Sequence, residues 1–367
     1  MSIEVVSIGN EVLRGIIVNT NAAFLGRRLA EEGWDIACQT TLPDEPDVLK
    51  QGLKEALMRN PVVIATGGLG PTLDDNTLEC AKELFSNPPN NLPNGVGTAP
   101  GYFFSESNRA LFLLPGVPSE MEQMFEESVF PYLKKHLPAT LLHREELFFY
   151  LTRENDVDPL LRELQGKYKL DIGIYPSYSG VSIVLRGPNN EHLITAKKII
   201  AEAFKASLLP SSKMEEAIQS WMIKHQKTLA LAESCTGGFM ASQLTAVPGA
   251  SSYFLGSLVT YSNQLKEDLL GVSPETLKNH GAVSPEVVHE MWTGLLKKTG
   301  ADYGIAVSGI AGPTGGSSEK PVGTVFYALG KRGEKPQINT LHFKGNRQTV
   351  ILRTTKWLFG LLLKQIL

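Results

Sequence analysis

The chain is expected to be an α/β multidomain protein, and three observations carry that expectation. Short apolar runs alternate with amphipathic stretches along most of the 367 residues, the signature of βαβ units around parallel strands. Several of those runs end in Gly-rich polar segments, where open α/β sheets bind ligands. The length exceeds what one core usually serves, so two or three domains are expected.

Residues 3–8 read as a first strand, followed by Gly9-Asn10-Glu11. Residues 21–32 have helical spacing and stop at Gly33. A strand is expected at 36–41, a helix at 46–59 and a third strand at 62–66. That third strand runs into Gly67-Gly68-Leu69-Gly70-Pro71-Thr72-Leu73-Asp74-Asp75. Glycines expose backbone N–H groups that cradle phosphate, and carboxylate oxygens suit a hard cation such as Mg²⁺. Residues 76–93 leave room for one short helix and a loop rich in Pro and Asn. A strand at 111–114 ends in Pro115-Gly116-Val117-Pro118-Ser119-Glu120, a second polar strand end.

Strands at 145–151, 171–175 and 180–186 with helices at 158–166 and 194–205 make a small α+β unit. Pro- and Ser-bearing linkers near 137–143 and 208–213 bound it, giving expected domains 1–143, 144–212 and 213–367. In the last domain, 228–232 reads as a buried strand that stops at Glu233. Ser234 and Cys235 then fall where strand turns into helix, with Thr236, Gly237 and Gly238 expected to open that helix. A nucleophile there gains from unpaired N–H groups and from the helix dipole. The plainer reading of Ser234 is an N-cap. Cys235 is the stronger nucleophile by chemistry, and a helix-start position is expected to lower its pKa; it also reads as a small packing residue.

A strand at 256–263 places Tyr261 and Asn263 at its end, with Lys266 one turn on. Taken alone, Lys266 reads as a solvated lysine and Tyr261 as a half-buried strand tyrosine. A strand at 303–308 runs into the Gly-rich stretch 308–316, and another strand follows at 325–329. Residues 348–367 read as a final amphipathic helix capped by Asn346.

Hydrophobic residues make up 42%, charged residues 20%, and the net charge is −3. No basic stripe is present, so no nucleic-acid partner is expected. Cys38, Cys80 and Cys235 are far apart and show no metal spacing, which fits a reducing, cytoplasmic setting. The N-terminus enters a strand without a leader pattern, and the apolar tail is too short and too charged to span a bilayer. No membrane association is expected.

Four motifs then stand out: A-E-S-C-T-G-G (232–238), V-T-Y-S-N-x-x-K (259–266), H-G-A-V-S (280–284) and S-G-I-A-G-P-x-G-G-S-x-E-K-P-V-G-T (308–324). In order and spacing they resemble the nicotinamide-nucleotide amidase domain of the competence-damage-inducible (CinA) proteins. The resemblance implies metal-free hydrolysis of the carboxamide of nicotinamide mononucleotide by a Ser–Lys arrangement. It makes Ser234 the nucleophile, Lys266 the base and Tyr261 a proton relay or an orienting group. Amides of Thr236 or Gly237 would hold the oxyanion. Gly238, Asn263, Ser308, Gly309, Gly312, Gly315 and Gly316 would line the substrate, with Arg347 on its phosphate.

The segments I-G-N-E-V-L-x-G-x-I-V-N-T-N (8–21), G-G-L-G-P-T-x-D-D (67–75), N-x-V-G-T-A-P-G (94–101) and L-P-G-V-P-S-E-M (114–121) resemble the N-terminal domain of the same family. That domain is similar in fold to molybdopterin-binding proteins and is associated with metal-dependent ADP-ribose pyrophosphatase activity. The resemblance implies a divalent metal such as Mg²⁺ on Asp75 and Glu120. Gly67, Gly68, Gly70 and Thr72 would hold phosphate, and Asn19, Asn21, Asp74, Pro115, Gly116 and Ser119 the nucleotide. The chain departs from the family pattern in its short 76–93 segment and in the uncharged Asn10. A nucleotide- or pterin-binding or assembly protein with a non-catalytic N-terminal domain is therefore the alternative. The middle unit resembles a KH-type domain but lacks the G-x-x-G loop that nucleic-acid binding needs. The family comparison implies a homodimer.

Overall fold

The structure, a computed structural model, describes residues 2–34, 36–72, 75–137, 143–211 and 213–367. It divides into two compact units, Met1–Arg144 and Glu145–Leu367. The fold is α/β throughout, on three sheets.

The first unit is built on β1 (Ile3–Ile8), β2 (Ile36–Leu42), β3 (Val62–Thr66), β4 (Asn90–Leu92), β5 (Gly101–Glu106) and β6 (Arg109–Leu114). Their order is β2-β1-β3-β6-β5-β4. β2, β1, β3 and β6 run parallel, while β5 and β4 are antiparallel additions. β1 and β3 are buried along their whole length, which explains their unbroken apolar runs: a parallel strand is covered on both faces. Alternate residues face opposite layers. Val5 and Ile64 join Leu25 and Leu29 of helix Thr20–Glu31. Val6, Val63 and Ala65 join Leu49 and Leu53 of helix Pro46–Arg59. The chain leaves β1 for β2 on one side and returns to β3 on the other, so a topological switch point lies between β1 and β3. β4 occupies part of the stretch expected as a Pro/Asn loop. The helical run from Pro118 to His136, with a π-helical turn at Phe125–Val129, was not legible from the sequence.

The second unit holds a sheet of β7 (His143–Tyr150), β8 (Asp171–Ser177), β9 (Gly180–Gly187) and β10 (Leu208–Leu209), in the order β10-β7-β9-β8. Helices Glu154–Tyr168 and Asn190–Ala203 bury Leu161, Leu164 and Ile200 against it. Its other sheet consists of β11 (Leu229–Glu233), β12 (Phe254–Val259), β13 (Tyr303–Gly309), β14 (Thr324–Lys331) and β15 (Gln337–His342). The order is β12-β11-β13-β14-β15, parallel for the first three strands and antiparallel beyond.

Leu229, Leu231, Ile305 and Val307 face helices Met214–Lys224 and Arg347–Ile366. Ala230, Ala232 and Ala306 face helix Pro285–Thr299. Their small side chains admit that helix closely enough for Trp292 Nε1 to donate to Gly304 O at 3.0 Å. Here too the chain leaves the first strand in one direction and returns on its other side, so the switch point lies between β11 and β13. Asn346 caps the last helix by accepting from Thr349 N at 2.9 Å. Among the described residues no helix is long and apolar enough to cross a membrane.

Candidate functional site

β11 ends at Glu233 and the next helix, Phe239–Thr245, starts six positions later, after five intervening residues. Residues 234–238 therefore form a loop, and the expectation that Thr236, Gly237 and Gly238 open the helix is corrected. Gly237 and Gly238 adopt φ of 60° and 93°, a region that glycine enters without steric cost. Ser234 keeps its amide in the sheet, donating to Val307 O at 3.1 Å. Its side chain is buried, and Lys266 Nζ lies 3.2 Å from Ser234 Oγ. Lys266 arrives on helix Asn263–Leu270, whose N-cap Ser262 accepts from Leu265 N.

Lys266 is 1% exposed, so it is not the solvated lysine of the plainer reading. Besides Ser234 it meets Thr260 O at 2.8 Å and Tyr261 O at 3.4 Å. Among the described residues it has no carboxylate partner. Burial without a counter-charge holds its pKa below the ordinary lysine value. Its three partners are two carbonyls and one hydroxyl, with no carboxylate among the described residues, so nothing but neutral dipoles meets the amine.

Sequence reasoning missed the role of Glu233. It is fully buried, and its carboxylate accepts from the amides of Gly238, Met240 and Ala241 and from Ser257 Oγ. Gly237 N donates to Ser234 O at 3.0 Å, so one amide expected to receive an oxyanion is already engaged. The amides of Cys235 and Thr236 have no backbone acceptor among the described residues. Cys235 sits in the core with Leu231 and Met240. Burial pushes its thiol up to about 12, the reverse of the lowering expected at a helix start. It is a packing residue, not an activated nucleophile.

Among the described residues the hydrogen bond between Tyr261 and Lys266 runs through the Tyr261 carbonyl. Its exposed hydroxyl accepts from Arg347 Nη2 at 2.8 Å, and Arg347 Nη1 donates to Gly312 O at 3.0 Å. A relay through that hydroxyl is thus corrected to a link between Tyr261 and Arg347. Asn263 is exposed at its helix start. Ser308 and Gly309 lie inside β13, paired with Phe326 and Val325, and Ser308 Oγ donates to Ala282 O at 2.7 Å. Gly312, Gly315 and Gly316 remain in the loop between β13 and β14. Lys320 Nζ pins this loop by donating to His280 O and Val283 O. That contact joins the 280–284 and 308–324 segments.

In the first unit, a cleft of about 480 Å³ opens at the switch point between β1 and β3. Asn19, Asn21, Gly67, Gly68, Gly70, Asp75, Pro115, Gly116 and Glu120 line it as expected, whereas Thr72 and Ser119 do not. Asp74 lies outside the described residues. Glu11 and Asp44 also line the cleft and were not singled out from the sequence. Asn19 caps helix Thr20–Glu31, accepting from Ala22 N at 3.0 Å. Asn21 Nδ2 donates to Thr66 Oγ1 and Gly116 O, both at 2.9 Å, while its Oδ1 is buried without a partner among the described residues. Gly67 has φ of 112°, and an added Cβ would lie 2.1 Å from Ile8 O. Only glycine lets the exit of β3 cross β1 there.

Asp75 Oδ2 accepts from Thr72 N at 2.9 Å and Thr72 Oγ1 at 2.5 Å. Glu120 Oε2 accepts from Asn94 Nδ2 at 2.5 Å. Each carboxylate is engaged in its own loop, and among the described residues no three metal-ligating side chains converge. Among the described residues the arrangement does not make a preformed divalent-ion site.

One sheet borders an open cleft and another carries a buried Ser–Lys pair at its strand ends, in a protein that is α/β throughout. Residues 211–366 match the family described as "CinA C-terminal domain", and residues 4–135 match "Probable molybdopterin binding domain". A competence-damage inducible protein from Halothermothrix orenii is 34% identical over 404 aligned positions, covering 98% of this chain and 97% of the relative. One from Caldanaerobacter subterraneus subsp. tengcongensis is 38% identical, covering 96% and 95%. A solved competence damage-inducible protein A from Klebsiella pneumoniae is 36% identical over 41% of this chain and 94% of its own, with a TM-score of 0.40. The chain belongs to the competence-damage inducible (CinA) protein family.

Proposed function

We propose that the C-terminal part of the chain hydrolyses the carboxamide of nicotinamide mononucleotide to nicotinate mononucleotide and ammonia. The observation that supports this reading is the buried Lys266 amine, with no carboxylate partner among the described residues, set against the Ser234 hydroxyl. A serine hydroxyl needs a base to become a nucleophile, and a lysine whose pKa is lowered by burial can be that base. Ser234 Oγ attacks the carboxamide carbon while its proton passes to Lys266 Nζ. The tetrahedral oxyanion is held by the amides of Cys235 and Thr236. Collapse expels ammonia with the proton returned by Lys266. Water then attacks the ester by the same route, releasing the nicotinate product and restoring Ser234. Arg347 is the group assigned to the substrate phosphate.

The test is ammonia release from nicotinamide mononucleotide by the wild type and by Ser234→Ala, with a chelator present. Activity that resists the chelator and disappears in the variant is expected. Activity that survives Ser234→Ala would sink the assignment.

For the first unit we infer binding of a small nucleotide- or pterin-like ligand without turnover. The separately engaged Asp75 and Glu120 carboxylates favour this over a pyrophosphatase. ADP-ribose incubated with the full chain and Mg²⁺ is expected to stay intact; metal-dependent cleavage lost in Glu120→Gln would overturn the inference.

A further inference from the structure

Glu233 is chemically odd where it stands. It is the last residue of a buried strand, with no exposed surface, one position before the proposed nucleophile. No Lys or Arg pairs with it among the described residues. Among the described residues its carboxyl oxygens meet neutral donors alone. Oε2 accepts from Gly238 N at 3.0 Å and Met240 N at 3.1 Å. Oε1 accepts from Ala241 N at 3.0 Å and Ser257 Oγ at 2.9 Å. Its carbonyl accepts from Thr260 N at 2.8 Å. One residue therefore ties together β11, β12, the segment that supplies a carbonyl to Lys266, and the start of the following helix.

The chemistry of the donors demands a carboxylate. Four donors converge on two oxygens, and both oxygens must accept. A glutamine would turn an NH₂ group toward one pair of donors, leaving N–H facing N–H in a dry site. Residues 234–237 are held between the backbone of Glu233 and its side chain. Within that loop the Ser234 amide is fixed on Val307 O, and Gly237 N closes on Ser234 O.

We propose that Glu233 is a positioning residue of the Ser234 site. Its carboxylate holds the 234–237 loop so that the Ser234 hydroxyl meets Lys266 Nζ, and it occupies the helix amides that would otherwise be open to a substrate anion. The proposal rests on the amidase reading for its natural substrate. A consequence is that the substrate phosphate must be met elsewhere than at the start of helix Phe239–Thr245, as at Arg347 or the Gly312–Gly316 loop beside it.

The test compares wild type, Glu233→Gln, Glu233→Asp and Ser257→Ala as full chains. Two readouts are used: kcat and KM for ammonia release from nicotinamide mononucleotide, and the rate of Ser234 labelling by a fluorophosphonate probe. Glu233→Gln is expected to lower kcat and labelling by about 100-fold, the cost of a misplacement of roughly an ångström. KM is expected to stay within about threefold, because the phosphate contact is untouched. Glu233→Asp keeps both acceptor oxygens and is expected to recover part of the labelling rate. Ser257→Ala removes one donor of four and is expected to cost about threefold to tenfold in kcat, one neutral hydrogen bond. It carries the test if Glu233→Gln does not fold. Wild-type kcat and labelling in folded Glu233→Gln would overturn the proposal, as would a loss of activity that merely tracks the loss of folded protein. If the wild type labels at Ser234 but releases no ammonia, the amidase reading fails and the labelling rates still decide the role of Glu233. A wild-type Ser234 that neither hydrolyses nor labels overturns both.

Discussion

The first unit and the C-terminal sheet place their candidate sites at the same kind of topological position but furnish them differently. In each, the chain leaves the first strand in one direction and returns on its other side, opening a crevice at the carboxyl ends. In the first unit that crevice remains an open cleft, rimmed by carboxylates engaged in their own loops and closed at its base by Gly67 against Ile8. In the C-terminal sheet the candidate groups sit at the ends of β11 and β12. Ser234 and Lys266 are buried together, and the one nearby carboxylate described there, Glu233, is spent on backbone amides. Topology sets where a ligand can sit; the burial of a titratable group decides whether chemistry is ready there.

The sharpest way to break this comparison is to remove the dyad. Ser234→Ala and Lys266→Met are each expected to lower ammonia release by a factor on the order of 10⁴ or more, with ligand binding in the first unit unchanged. Lys266→Met is also expected to stabilise the fold by about 1–3 kcal/mol at neutral pH, since it replaces a buried amine lacking a counter-charge by an apolar side chain. The sign of the pH dependence follows from the lowered lysine pKa. Between that lowered value and the unfolded value of about 10.4 the unfolded chain binds the extra proton, so wild-type stability rises with pH across the window. The advantage of Lys266→Met should therefore shrink from pH 7 toward pH 10 in denaturant titrations, and wild-type kcat should climb through the same lowered pKa. A stability difference independent of pH would mean the amine is not buried uncharged.

Gly67→Ala probes the other crevice. Its Cβ meets Ile8 O at 2.1 Å with φ at 112°, so a loss of about 3 kcal/mol from the first unit is expected. Calorimetry should show the first unit's transition falling while ammonia release persists. A smaller effect is expected at the substrate end of the C-terminal site. Arg347→Ala should raise KM for nicotinamide mononucleotide by about 10- to 100-fold, the range of a charge-assisted contact, with kcat little changed. Smallest of all, Cys235→Ala should keep activity within about threefold and cost about 1 kcal/mol. Its thiol should resist iodoacetamide at pH 8, because burial keeps it protonated. Rapid alkylation with loss of activity would return Cys235 to consideration as the nucleophile.

The amino-acid sequence by itself determined the alternation of strands and helices, the Gly-rich strand ends, and the presence of Ser234 and Lys266 one strand apart. Those signals are local: apolar runs, caps and turn residues act within a few positions. Helix Pro46–Arg59 and strand Val62–Thr66 lie where those signals put them. Only the tertiary structure decided the burial and partners of the groups. Lys266 and Ser234 are 32 positions apart, Ser308 and Ala282 26, and Arg347 and Tyr261 86. No local pattern reports that Lys266 is dry, that Ser308 is spent on Ala282, that Cys235 is in the core, or that Glu233 caps the helix after the nucleophile. Nor does it place Glu11 and Asp44 on the rim of the first cleft. The reason is physical. Local propensity is fixed by neighbours along the chain, whereas desolvation and hydrogen-bond partnership depend on which distant segments close over a side chain.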